Sequence, residues 1–89
     1  MFEDPFASSA NSVIAPAADC FAIAASDVSD LAKATKAIFV GTGGTIVLRA
    51  VESANDVTFR NVPDGSILDV RVRAIRATGT TADDIVGLA

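Results

Sequence analysis

Histidine, tryptophan and tyrosine are absent from this 89-residue chain, and cysteine occurs once. Without histidine no Ser-His-Asp or Cys-His arrangement can assemble within one chain. The lone Cys20 can form neither an intrachain disulfide nor a multi-thiolate metal site. Flanked by Phe21 and Ala22, it reads as a small buried apolar residue. The missing indole and phenol rings remove the usual stacking platforms for sugars and bases. Five phenylalanines remain, most of them expected in the core. Acid–base chemistry by paired carboxylates is formally open through Asp27, Asp30, Asp83 and Asp84. Their spacing sets no two of them in a common cleft, and each reads as a turn or capping residue. Neither an enzyme nor a cofactor is expected.

Long apolar runs are missing too. Residues 5–18 are uncharged but hold two prolines, three serines and an asparagine, and residues 37–48 carry three glycines. A membrane-spanning helix needs about 20 apolar residues, so no membrane insertion is expected. No basic region precedes an apolar one at the N-terminus, so a signal peptide is not expected either. Yet apolar residues make up 51% of the chain and mean hydropathy is +0.46. A single small domain exposes most of its surface, and contacts between subunits explain that surplus economically. Positive charge is also short. The net charge is −4, whereas nucleic-acid affinity draws on basic surface and counterion release, so no direct nucleic-acid binding is expected.

The most informative stretch is residues 62–75, Val-Pro-Asp-Gly-Ser-Ile-Leu-Asp-Val-Arg-Val-Arg-Ala-Ile. Pro63, Asp64 and Gly65 form a turn in which the glycine can take positive φ. Beyond it Leu68, Val70 and Val72 share one face of a strand, while Asp69, Arg71 and Arg73 share the other. Ile75 and Arg76 fall out of phase with this pattern. Either a β-bulge near Ala74 restores the phase and bends the strand, or the strand ends at Arg73. Four of the five arginines lie between Arg60 and Arg76. Arginine suits bidentate pairing with carboxylates at protein interfaces, although a solvated strand face accounts for the same pattern.

Two parts follow along the chain. Residues 1–25 have no sustained period and read as an extended N-terminal arm. Its apolar residues Phe2, Phe6, Val13, Ile14, Phe21 and Ile23 are too many for a solvated tail, and docking on a neighbour would offset the entropy of ordering it. Residues 26–89 read as a small all-β domain, an antiparallel sandwich or barrel. Ser26 or Ser29 caps a helix of one or two turns through 31–34. Strands are expected at 37–40, 45–51, 56–61, 66–77 and 84–88. Gly41-Thr42-Gly43-Gly44 precedes a β-branched run rather than a helix, so it reads as a hairpin loop between the first two strands and not as a phosphate loop.

Several segments in order are similar to one known family. They are Asp4-Pro5-Phe6-Ala7, Phe21-Ala22-Ile23, Ser26-Asp27, Asp30-Leu31-Ala32, Ala37-Ile38-Phe39-Val40-Gly41, Val57-Thr58-Phe59, Val62-Pro63-Asp64-Gly65 and Arg73 to Thr81, the last including Arg76-Ala77-Thr78-Gly79-Thr80-Thr81. The chain resembles, over almost its whole length, the spike base proteins of gene transfer agents and related alphaproteobacterial tailed phages. The motifs are short and not chemical, and the resemblance lies in their order and spacing.

That resemblance implies a structural, non-catalytic virion component: an oligomeric base joining a head spike or fibre to the vertices of the capsid. The implied partners are the major capsid protein, the head spike fibre protein and copies of the chain itself in a ring. The implied location is the outside of the head, after synthesis in the bacterial cytoplasm. Within that picture Phe2 and Phe6 of the arm, and Arg71, Arg73 and Arg76 of the strand, are the expected interface residues. The arginines are expected to meet acidic surface such as 27–30 of an adjacent subunit. The alternatives are a small β-sandwich module binding a host glycan or peptide, against which the lack of tryptophan and tyrosine counts, and a subunit lending an edge strand to a larger enzyme.

Overall fold

The computed structural model describes residues 16–89. These form seven strands: β1 (Cys20–Ala22), β2 (Ala37–Thr42), β3 (Gly44–Ala50), β4 (Val57–Val62), β5 (Ser66–Leu68), β6 (Val72–Ile75) and β7 (Asp83–Leu88). A four-stranded sheet runs β1-β7-β2-β5 and a three-stranded sheet runs β4-β3-β6. Every strand pair is antiparallel, and together the sheets make a small sandwich-like all-β fold. Each strand follows from its alternation. Ile38 and Val40, Ile46 and Leu48, and Val72 point inward and are essentially inaccessible to solvent, while their neighbours in sequence point out. Val62, Ile75 and Ile85 complete the core. It is aliphatic. Phe59 only packs at its margin and Phe39 faces outward, so the expected phenylalanine core is not found among the described residues.

Three expectations are corrected by the connections. First, β2 and β3 do not form a hairpin, because they belong to different sheets. Gly43 is where the chain turns the corner between them. A side chain there would place its Cβ 2.0 Å from the Val62 carbonyl oxygen, so the close backbone crossing admits only glycine. The Asp64 carboxylate accepts a hydrogen bond from the Gly43 N–H at 2.6 Å and pins the corner to the Pro63-Asp64-Gly65 turn, in which Gly65 has φ 71° as expected.

Second, the strand expected at 66–77 is two strands. β5 pairs with β2 in one sheet and β6 with β3 in the other, and 69–71 carry the chain across. The bulge is present within β6. Arg49 faces Ala74 and Ala50 faces Val72, which leaves Arg73 as the extra residue and buries both Ala74 and Ile75. A second bulge, at Asn61 with φ 58°, sits in β4.

Third, no helix follows Ser26 or Ser29. The Ser26 hydroxyl accepts from the Val28 and Ser29 N–H groups at 3.3 and 3.2 Å, which is cap geometry, but the next donors go elsewhere. Ser26, Leu31 and Thr35 N–H groups donate to the carbonyls of Ile75, Arg73 and Val72. The segment 26–35 thus spends its backbone on the free edge of β6, and the buried Thr35 hydroxyl accepts from Val72 N–H at 3.0 Å. Tertiary hydrogen bonds outcompete a two-turn helix, which is marginal by itself. Of the expected arm, 1–15 lie outside the described residues, and Cys20–Ala22 is an edge strand of the larger sheet.

Candidate interaction surfaces

The two outer faces of the sandwich differ in chemistry. Cross-strand partners share a face, so the register assigns each outward side chain. On the larger sheet Phe39 lies between Ile67 and Val86, Val86 beside Ala22, and Leu88 between Ala37 and Cys20. None of these side chains carries a charge. Ile67 is 62% exposed and Cys20 is exposed, which corrects the buried reading of the cysteine. The cause is local. Phe21 takes the inner side of β1 with its ring over Gly87, where a Cβ would lie 2.6 Å from the ring, so alternation turns Cys20 outward. At one end of this sheet the Thr42 hydroxyl donates to the Asp84 carboxylate at 3.4 Å.

Beyond the smaller sheet and along its edge lies a chain of ion pairs. Arg49 Nε meets the Asp56 carboxylate at 2.9 Å, and Arg76 Nε meets the same carboxylate at 3.3 Å. Arg76 also reaches Asp30 at 3.9 Å, and Arg73 meets Asp30 at 3.1 Å. The Arg76 side chain is only 12% exposed, so the network is anchored at its centre. Asp27 tightens the same region. Its carboxylate accepts from the Thr78 hydroxyl at 2.6 Å and the Thr78 N–H at 2.8 Å. The Thr78 side-chain hydrogen bond, joined by that from its backbone, holds the Asp27 carboxyl below its ordinary pKa.

The expected interface residues are therefore separated. Arg73 and Arg76 meet carboxylates of their own chain, Asp30 and Asp56. Arg71 lies in the crossing segment, exposed and without an ion pair among the described residues. Phe2 and Phe6 lie outside the described residues. The four candidate acids also part company: Asp27 and Asp30 serve the ion-pair side, whereas Asp83 and Asp84 sit at the start of β7 beside Thr42. Asp56 and Arg49 were missed in the sequence. Their signal was an opposite-charge pair seven residues apart across the β3–β4 connection. Among the described residues no cluster of three metal-ligating side chains occurs, and no helix is long and apolar enough to cross a membrane.

A third feature is the outer edge of β1, which no strand among the described residues pairs. A groove of about 430 Å³ runs between β1 and the segment 26–35. Phe21, Ile23 and Leu31 give it apolar walls, and the Asp19–Lys33 ion pair, at 3.4 Å, marks one border.

No protein-family model matches the chain, and no curated protein does. Among solved structures it is similar to a chain in the structure described as the capsid of a native GTA (gene transfer agent) particle computed with C5 symmetry. The two share 45% identity and superpose with a TM-score of 0.87 over 98% of this chain and 100% of that one.

Proposed function

The chain belongs to the family of structural proteins that includes this gene transfer agent capsid component, and on that premise we propose that it is the non-catalytic base of a head spike or fibre, a ring of copies seated on the outside of the head. The observation that carries the reading is the likeness to a capsid component over 98% of this chain and 100% of that one. The outer face of the larger sheet supports it. A surface built from Phe39, Ile67, Val86 and Leu88 without a charge among them gains by burial, at about 25 cal/mol per Å². Contact between copies also accounts for the high mean hydropathy.

The relative's capsid was computed with C5 symmetry, which is compatible with a ring closed by head-to-tail contacts, in which each copy uses two different surfaces. The major capsid protein below and the head spike fibre above are the partners of such a ring. Arg71, which like Arg60 has no ion pair among the described residues, is suited to pair with acidic surface on one of them. Arg73 and Arg76 contribute by holding that side of the sandwich rigid, and Phe2 and Phe6 by anchoring the arm. The test is native mass spectrometry of the purified chain together with co-sedimentation on spike-free heads. A discrete ring that sediments with heads supports the proposal. A stable monomer that ignores heads overturns it in favour of a lone binding module.

A further inference from the structure

The free edge of β1 is an acceptor for another strand. Asp19 and Ala89 exchange both backbone hydrogen bonds, at 2.8 and 2.7 Å, and Ile23 N–H donates to the Ile85 carbonyl. In an antiparallel ladder the hydrogen-bonded pairs alternate, so Phe21 also turns its backbone to β7. The N–H and C=O groups of Cys20, Ala22 and Ala24 therefore point away from the sheet. No strand among the described residues pairs with them.

Two other edges carry protection among the described residues: the segment 26–35 covers β6, and β4 carries Arg60 and a bulge at Asn61. β1 and β5 are each three residues long, but pairing beside β1 runs on through Asp19–Ala89 and Ile23–Ile85, and the described residues provide no cover for it. Exposed edges normally bear a charge, a proline, a bulge or a cover. The stretch 20–24 is Cys-Phe-Ala-Ile-Ala. Its outward side chains are small, and the adjoining groove of about 430 Å³ has Phe21, Ile23 and Leu31 in its walls. Open backbone groups beside an apolar groove are what strand addition uses, the backbone supplying affinity and the groove selecting side chains.

We propose that this edge takes an extended stretch of residues 1–15 from a neighbouring copy of the chain. The proposal rests on the oligomeric reading above and names the contact that closes the ring. The segment has the required chemistry, with Phe2, Phe6, Val13 and Ile14 spaced among small residues. Fifteen residues reach about 50 Å when extended, against 41 Å for the longest dimension of the protein. The direction of the chain favours a neighbour. Ala18 and Asp19 N–H groups donate to Ala89, and Lys36 Nζ donates to the Pro16 carbonyl at 3.3 Å. These bonds set residues 16–19 beside the ends of β7 and β2. A segment passed from one copy to the groove of the next makes a head-to-tail contact.

The test measures amide hydrogen exchange at Cys20, Ala22 and Ala24 alongside native mass, in the full chain, a chain lacking residues 1–15, and Ala22→Pro. Proline at Ala22 removes an N–H that β7 does not use and places its ring in the groove. Ala22→Lys, at an exposed position, repeats the test without constraining the backbone, and circular dichroism checks that each variant folds. The expected result is exchange slowed at least tenfold at Ala22 in the full chain, with both protection and oligomer lost in all three variants. An oligomer that persists without residues 1–15, with Ala22 exchanging freely, overturns the arm contact and leaves the spike-base reading standing. Protection in a monomeric full chain means that the arm folds onto its own copy and overturns the exchange between copies. Loss of head binding with protection intact would instead strike the spike-base reading.

Discussion

The two sheets share one aliphatic core and present opposite outer surfaces. The larger sheet shows solvent a face of Phe39, Ile67, Val86 and Leu88. The side of the smaller sheet is laced by Arg49, Asp56, Arg76, Asp30 and Arg73. The difference teaches which side is finished. Arg49, Arg73 and Arg76 already have partners inside the chain, so a further partner there would have to compete for them. Among the described residues nothing covers the outer side chains of the larger sheet. Within the chain, Arg73 and Arg76 hold the 26–35 segment to the sandwich through Asp30.

The comparison breaks completely if the sheets are uncoupled at their corner. Gly43→Ala sets a Cβ against the Val62 carbonyl, within 2.0 Å unless the backbone shifts. Moving the corner also loosens the Asp64 bond to Gly43 N–H. The expected loss is about 3 kcal/mol, read from urea denaturation followed by far-UV circular dichroism, since tryptophan and tyrosine are absent. A loss well under 1 kcal/mol would mean that the corner has room to move.

Next comes the finished side. Arg76→Ala removes the side chain that joins two carboxylates and leaves Asp56 to Arg49 and Asp30 to Arg73. Its side chain is mostly buried while its partners are about one-third to one-half exposed, so the expected cost is about 1–2 kcal/mol. Assembly, where measured at a temperature at which the variant is folded, should be unchanged. Phe39→Lys on the opposite face should do the reverse. It gives up cross-strand packing against Ile67 and Val86, about 1 kcal/mol or less, and should abolish the oligomer seen by native mass spectrometry. If Arg76→Ala disperses the oligomer and Phe39→Lys does not, the two faces have been assigned the wrong roles.

Much of this was legible before folding. Period-two alternation located the strands to within a residue or two at 37–40, 45–51 and 84–88, because one buried face leaves a direct mark on the sequence. The bulge in β6 was legible as a phase slip, since Ala74 and Ile75 are both buried. Pairing was not. Nothing local distinguishes a glycine loop that closes a hairpin from one that carries the chain to the other sheet, and at Gly43 the deciding contact is with Val62, nineteen residues on. The short helix failed for the same reason: the donors of Leu31 and Thr35 were claimed by β6, forty residues away in sequence. Cys20 misled because free cysteines are usually buried, whereas its orientation was set by the Phe21 ring and Gly87.

The smallest effect sharpens the comparison within the ion-paired side. Thr78 donates both its hydroxyl and its N–H to Asp27, and these bonds keep the carboxyl ionised to lower pH than usual. A pKa lowered in the folded state stabilises the fold above the unfolded value, and that contribution is lost as pH falls through the folded one. Asp27→Asn should therefore be less stable than the parent at neutral pH, and the gap should close in acid once the parent carboxyl is protonated. The group lies at the surface, so added salt should narrow the gap as well. Denaturation midpoints of the two proteins across an acid series measure it. A gap that stays constant with pH would show that shape, rather than charge, latches Thr78 to the 26–30 loop.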